Sequence, residues 1–296
     1  MANGTDRRSE FVFRSLRKPE ELRHAEELQR ATLGETEPLV VPAPLLRSVQ
    51  DNGGLVLGAF ADIYLAGVTV SSIGWDGTTL YHQSLVTVVR PEYQSHRVGF
   101  RLKAFQRDEV LRLGLSQLRW VIDPLHRASA SLALRHLGAR PDGYLPHYFG
   151  QVEPADRPKE ESDRLHLRWS LDAPDVERRL AGAVPTPEES RMRHAGSFPI
   201  VRTDVGERGL RLPNEVAEPS GPTASIEVPF DLASLRAHEP GSVRRWRHAV
   251  RDGFRAAFDL GYVADDFGVV SLDHERRSFY FLSSTPAGST SPASGS

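Results

Sequence analysis

The apolar positions change period several times along the chain, and each change predicts an element. "FVFRSL", from Phe11, reads as a strand; "KPEELRHAEELQRATLG" has proline near its start, early acids and Gly34 at its end, the signature of a helix. A second short helix is expected around 43–51, ending at Asn52-Gly53-Gly54. Three β-like runs come next, "LVLGAFAD", "YLAGVTVSSIG" and "LYHQSLVTVV", the last two joined by the turn-forming "WDGTT". From Val98 the period turns helical, with Val98, Leu102, Phe105 and Leu113 on one stripe and Gly114 as its stop. "LSQLRWVID" predicts a strand, "RASASLALRHLG" a helix closed by Gly138, and "YLPHYFG" a final strand.

Antiparallel hairpins that feed a β-α-β crossover imply an α/β (α+β) fold, a mixed, mostly antiparallel sheet with helices on both faces, over residues 11–155. "EPADRPKEESDRLH" is charged, contains proline and lacks an apolar period, so it is expected to be a linker. Beyond it, residues 164–284 predict a smaller α+β extension: strand "LHLRWSL", helix "APDVERRLAG", a polar stretch over 183–222, strand "SIEVP", a helical region 231–260, and strands "YVADDFGVVSL" and "RRSFYFLSS". Residues 1–10 and 285–296 are expected to be disordered.

Composition narrows the function. A net charge of −2 over 296 residues offers no global field for a polyanion, so no nucleic-acid partner is expected. The absence of cysteine excludes disulfides, thiolate zinc sites and cysteine nucleophiles. No apolar run approaches the roughly 18 residues of a membrane span, and the polar start lacks a signal-like segment, so a cytoplasmic, membrane-free protein is expected. No HExxH, calcium loop, GxSxG elbow or Walker loop occurs, and no metal is expected. In "SVRRWRHAVRDGFRAAF", Val243, Trp246, Val250, Phe254 and Ala257 form a core face, while Arg244, Arg247, His248, Arg251 and Arg255 form a basic face expected to be solvated, with an acidic partner, a carboxylated acyl group or nucleic acid as the alternatives.

The stretch that carries chemistry is "VRPEYQSHRVGFRL". A strand that turns directly into a helix offers unpaired N–H groups and the positive end of a dipole, which suit a phosphate; an ordinary strand-to-helix turn with solvated basic residues reads equally from the same letters. The order of elements and the spacing around it resemble the GNAT superfamily of acyl-CoA-dependent N-acyltransferases. In that family the phosphate pattern is Gln or Arg, two residues, Gly, one residue, then Gly or Ala; Gln94 and Gly99 fall on its ends, and Arg97 stands where the first glycine belongs. Trp120, Asp123-Pro124, Leu137-Gly138-Ala139, Tyr144 and Tyr148 resemble a bacterial predicted-acetyltransferase subgroup with a long C-terminal extension; the likeness spans 11–150 and, more loosely, 164–270.

The resemblance implies an acetyl-CoA or other acyl-CoA co-substrate, the acyl group succinyl in some relatives, and a small-molecule amine or amino acid as acceptor; the sequence leaves the oligomeric state open, a homodimer included. It implies direct transfer, with Thr87, Val88 and Val89 holding the pantetheine and polarising the carbonyl, and Gln94, Ser95, His96, Arg97, Val98, Gly99, Phe100 and Ser129 completing the CoA site. Many relatives carry a catalytic tyrosine at the position of Leu134, so a hydroxyl acid has to come from Ser131, Tyr144 or Tyr148. Asp123 reads as a base or ammonium anchor, or as a turn residue before Pro124; His82 reads as a cleft residue or a structural one. Two other functions fit the same residues: a decarboxylase of malonyl-type thioesters, which Leu134 leaves open, and a non-catalytic CoA-binding or interaction module, which Arg97 favours.

Overall fold

The alternating run at Phe11–Ser15 forms strand β1, and the proline-led, acid-first segment forms helix α1, Pro19–Leu33. These come from a computed structural model that describes residues 11–34, 39–152, 160–186, 195–206, 209–272 and 274–284. The expected linker core at 153–159 and both expected disordered ends lie outside the described residues. The chain falls into two units. One runs to Trp120 and takes back Ser170–Asp172; the other holds Val121–Trp169 and the chain from Ala173 onward.

The first unit continues with α2 (Ala43–Asp51), β2 (Leu55–Ala61), β3 (Tyr64–Trp75), β4 (Leu80–Val89), α3 (Val98–Arg112) and β5 (Gln117–Ile122), within which the division falls. Strands β1 to β4 pair antiparallel in order, and β5 joins β4 in parallel. Period-2 alternation gives the sheet two apolar faces. Leu22, Ala25 and Leu28 of α1 and Leu46 of α2 cover one, against Val56, Val68, Val70 and Val88. Val98 and Leu102 of α3 cover the other, against Phe11, Ala59, Ala61, Ala66 and Val89. The expected mixed, mostly antiparallel sheet with helices on both faces is therefore present. A bulge pairs Val70 with Val86 but Ser71 with Ser84, which leaves Leu85 as an extra residue on β4.

The second unit carries α4 (Arg127–Ala130), β6 (Arg140–Leu145), the short pair β7 (Gln151–Val152) and β8 (Glu160–Glu161), β9 (Arg164–Ser170) and α5 (Pro174–Leu180). Strands β6 and β9 pair antiparallel. Then come β10 (Phe198–Pro199), β11 (Val201–Val205), β12 (Arg211–Val216), β13 (Thr223–Val228), α6 (Leu232–His238), α7 (Pro240–Asp259), β14 (Tyr262–Leu272) and β15 (Glu275–Ser284). Four of these form a sheet in the order β10-β13-β15-β14. Phe254 of α7 packs edge-on to Tyr280, and Tyr280 edge-on to Phe267, which fills the centre of this unit with aromatic rings.

Four expectations are corrected. Strand β4 does not turn straight into α3: a 3-10 turn, Pro91–His96, stands between them. The helix expected over 127–138 is α-helical only to Ala130 and runs on as a π turn, Ser131–His136. The strand expected at "YLPHYFG" begins earlier, at Arg140, and stops at Leu145, because Pro146 lacks an N–H and His147 sits at φ 51°. The polar stretch 183–222 hides a hairpin, β11–β12, whose alternate residues are charged, with Arg202 paired to Glu215 across it at 2.9 Å.

None of the described helices is long and apolar enough to cross a membrane. Leu102 is fully buried between α3 and the sheet. Leu102→Ala is expected to destabilise the first unit by about 3 kcal/mol, read as an earlier urea midpoint for that unit's transition; a shift below about 1 kcal/mol would mean that α3 does not seal this face.

Candidate functional site

Strands β4 and β5 pair at only two positions, His82 with Leu118 and Gln83 with Arg119. Beyond Gln83, β4 runs on to Val89 with its β3 edge paired, and β5 does not follow it. Main-chain groups on that open edge are therefore available to a ligand. Thr87 Oγ1 is engaged with Thr69 Oγ1 at 2.7 Å, and Val88 and Val89 are buried. Because the Arg90 N–H bonds to β3, alternation turns the Val88 main chain to β3 too, so what the open edge can offer is the backbone of Thr87 and Val89, not the expected Val88. Arg90 ties the end of β4 back to β3: its N–H donates to Ala66 O at 2.9 Å and its Nε to Leu65 O at 2.8 Å.

The 3-10 turn then presents its residues to solvent. Gln94, Ser95, His96 and Arg97 are exposed, and Gln94 Nε2 donates to Val89 O at 3.1 Å, which holds the turn against the end of β4. Arg97 takes the left-handed conformation, φ 56° and ψ 23°, and caps α3 without a side-chain hydrogen bond. The glycine expected at this place is thus replaced by a residue that adopts glycine's geometry at a cost of about 1 kcal/mol. Its guanidinium lies 4.5 Å from the centre of the Phe100 ring. Arg101 N–H donates to Arg97 O at 3.0 Å. The N–H groups of Val98, Gly99 and Phe100 precede it, aimed along the positive end of the α3 dipole.

Under α3 the sheet carries a polar row that the sequence reading named only at His82. Ser71 Oγ meets His82 Nδ1 at 3.0 Å, and Lys103 Nζ donates to Ser84 Oγ at 3.0 Å and to Gln106 Oε1 at 2.8 Å while lying 4.3 Å from the Trp120 ring centre. All of these side chains are buried or nearly so. Burial depresses His82 to about 4 and Lys103 to about 7, because both lose water as the charged form and neither gains a carboxylate. Helix periodicity could have found this cluster: Lys103 and Gln106 are polar residues on the apolar side of a helix.

The expected acid–base residues belong to the second unit. Asp123 accepts from Arg247 Nη1 and Nη2, both at 3.1 Å, and from Leu125 N–H at 2.9 Å. Burial pushes its carboxyl up, but the Arg247 guanidinium prevails and holds it below its usual range. Tyr144 donates to Asp163 Oδ2 at 2.9 Å, and burial together with that carboxylate raises its phenol far above the usual value. Tyr148 is exposed, its ring edge-on to Phe149. Ser129 Oγ pairs with His126 Nδ1 at 2.8 Å, Ser131 begins the π turn, and Leu134 is fully buried.

The basic face of α7 is solvated only in part: Arg244, His248 and Arg255 are exposed, while Arg247 and Arg251 are drawn into ion pairs. Arg247 is 2% exposed and pairs with Asp123 and, at 3.7 Å, with Glu160; Arg251 pairs with Glu161 and, at 2.7 Å, with Asp163. The acidic partner is the chain's own "EESD", which had read as linker. His147, Glu161 and Asp163 bring ligand-type atoms within 4.8 Å of one another, yet Asp163 already accepts from Arg251, Tyr144 and the His147 N–H, and Glu161 from Arg251 and His248. The positive charge such a cluster would draw is supplied by Arg251.

No family model matches the chain, and no curated protein matches it. Solved structures are similar to part of the chain. The ribosomal-protein-S18-alanine N-acetyltransferase from Escherichia coli is similar over 55% of this chain and 96% of its own, at 16% identity and TM-score 0.45. A GNAT-family acetyltransferase from Streptococcus pneumoniae is similar over 54% and 98%, at 15% and 0.44, and a putative acetyltransferase from Salmonella typhimurium with its cofactor acetyl-CoA over 56% and 98%, at 19% and 0.44. At these values the likeness carries no chemistry across to this chain.

Arg247→Met leaves the Asp123 carboxylate without its partner and is expected to destabilise the second unit by about 3 kcal/mol, while Asp123→Leu/Arg247→Met recovers most of the loss; equal destabilisation by single and double variants in urea melts would contradict the pairing. Lys103 has a depressed folded pKa, so between about 7 and the ordinary lysine value of about 10.4 the unfolded chain binds more protons and stability rises with pH. The melting temperature is expected to climb from pH 7 to 9.5 in the native protein and to climb less in Lys103→Met; parallel profiles would place the amine in water.

Proposed function

We propose that the first unit binds an acyl-CoA and that the protein transfers its acyl group to the amine of a small molecule or amino acid. The observation that carries this reading is the parting of β4 from β5 beyond Gln83, with the 3-10 turn bringing the α3 N-terminus to the far end of the open edge so formed. The pyrophosphate would sit on the N–H groups of Val98, Gly99 and Phe100, with Gln94, Ser95, His96 and Arg97 around it. The pantetheine arm would lie along the open edge of β4, where the main-chain N–H groups of Thr87 and Val89 can polarise a thioester carbonyl.

Transfer is then direct. The neutral amine attacks the carbonyl carbon, a tetrahedral oxyanion forms against β4, the C–S bond breaks, the amine gives up a proton and the thiolate takes one. Asp123 and Tyr144 are committed to Arg247 and Asp163, so their proposed part is to position their surroundings rather than to exchange protons. Tyr148 and Ser131 stand as proton-donor candidates on chemistry alone. A second reading, a CoA-binding domain that decarboxylates a thioester or transfers nothing, is favoured by one observation: Leu134 is apolar and buried where the resemblance implies a catalytic tyrosine.

Calorimetry with coenzyme A separates binding from chemistry. CoA is expected to bind, and Ser95→Glu, which sets a carboxylate on the exposed turn, to weaken it tenfold or more, about 1.4 kcal/mol. Thiol release coupled to amine acylation across a panel of acyl-CoAs and amines supports transfer. Carbon dioxide release, or binding with no turnover, supports the second reading; no heat with CoA would remove both.

A further inference from the structure

The polar row under α3 has an imbalance that its own partners do not resolve. Lys103 Nζ donates to Ser84 Oγ and Gln106 Oε1 and lies 4.3 Å from the Trp120 ring centre, so that, once protonated, its third N–H has no oxygen acceptor among these partners. Gln106 Nε2 and His82 Nε2 are buried and have no hydrogen-bond partner. In the tautomer in which Ser71 Oγ donates to His82 Nδ1, Nε2 carries the ring proton, and that is the tautomer an anion at Nε2 selects. Both unmet groups are then donors, beside an amine with no acidic partner among the described residues. Leaving buried donors unpaired costs about 1–3 kcal/mol each, and native proteins keep few of them.

The place is as informative as the chemistry. Ser84 and Trp120 are the residues next after the last paired positions of β4 and β5, Gln83 and Arg119. Ser71 lies opposite Ser84 on β3, and His82 is two residues back along the same face. The donors therefore gather at the closed end of the fork, from β4 on one side and α3 above. On the acyl-CoA reading just given, on which this inference rests, the far end of the acyl chain points there. We propose that the preferred acyl group ends in a carboxylate, whose two oxygens accept from Lys103 Nζ, Gln106 Nε2 and His82 Nε2.

A carboxylate supplies about four acceptor positions in one plane, enough for all three nitrogens, and it brings the counter-charge that a buried ammonium otherwise lacks. A methyl-ended chain of the same length meets the same donors with nothing to offer them, and so leaves their desolvation uncompensated. The depressed value of Lys103 agrees with a site waiting for an anion: the amine is cheap to keep buried while neutral and becomes charged when the carboxylate arrives.

The test compares succinyl-CoA, butyryl-CoA and CoA alone by calorimetry, since the two acyl chains match in carbon count and differ in the terminal group. The expected result is that succinyl-CoA binds at least tenfold more tightly than butyryl-CoA, and that Lys103→Met and Gln106→Leu each cut this preference to threefold or less while holding the affinity for CoA itself within twofold. Melting curves of both variants show whether they fold, and the comparison on the native protein stands without them. If CoA binds and the two thioesters bind alike, the donors are satisfied by water and this inference is overturned while the acyl-CoA reading survives. If CoA itself does not bind, both fall together.

Discussion

Two parallel strands that hold hands over two residues and then separate are the constraint from which the rest of the first unit follows. Pairing at His82–Leu118 and Gln83–Arg119 fixes β5 in the sheet, and its failure beyond them leaves main-chain groups of β4 unsatisfied by protein. The bulge at Leu85 sits beside the point of separation and re-aims the residues after it. The Arg90 bonds to β3 and the Gln94 bond to Val89 hold the end of that open strand in place, so the α3 N-terminus arrives at a fixed position relative to it. An open strand edge would ordinarily invite aggregation. In the proposed function this fork, with one strand edge and one helix terminus, is the seat for an extended ligand with an anionic end.

The two units treat buried charge in opposite ways. In the second, each buried guanidinium of α7 has a carboxylate: Arg247 has Asp123 and Glu160, and Arg251 has Glu161 and Asp163. Such pairs contribute little net stability but cost several kcal/mol to break, so they pin β8, α7 and the turn after β5 to one another. In the first unit, Lys103 is as deeply buried and has only neutral partners. A satisfied network is architecture; an unsatisfied one at the closed end of a fork is the better candidate for recognition.

Much of this was legible in the sequence because periodicity depends on local spacing alone. The β1-α1-α2-β2-β3-β4-α3-β5 order followed from the alternation of Val and Leu positions, and the core stripe of α7 from Val243, Trp246, Val250, Phe254 and Ala257, all of them buried. What escaped depends on distance in three dimensions. "EESD" looked like linker because its partners lie about 90 residues away on α7, and Arg247 and Arg251 looked solvated for the same reason, whereas Arg244, His248 and Arg255 are exposed as expected. The hairpin within 183–222 escaped because cross-strand charge pairs such as Arg202–Glu215 erase the apolar alternation by which strands are recognised. Arg97 escaped differently. A glycine pattern says which backbone conformation is wanted, and Arg97 shows that a non-glycine residue can be held in it.

The account stands on the fork in the first unit being the seat of coenzyme A, and amide hydrogen exchange with and without the ligand tests it most directly. Added CoA is predicted to slow exchange at Thr87 and Val89 and at Val98 to Arg101, while the amides of β14 and β15 exchange as before. Unchanged protection along the β4 edge and the first turn of α3, at CoA concentrations up to the millimolar range, would contradict it.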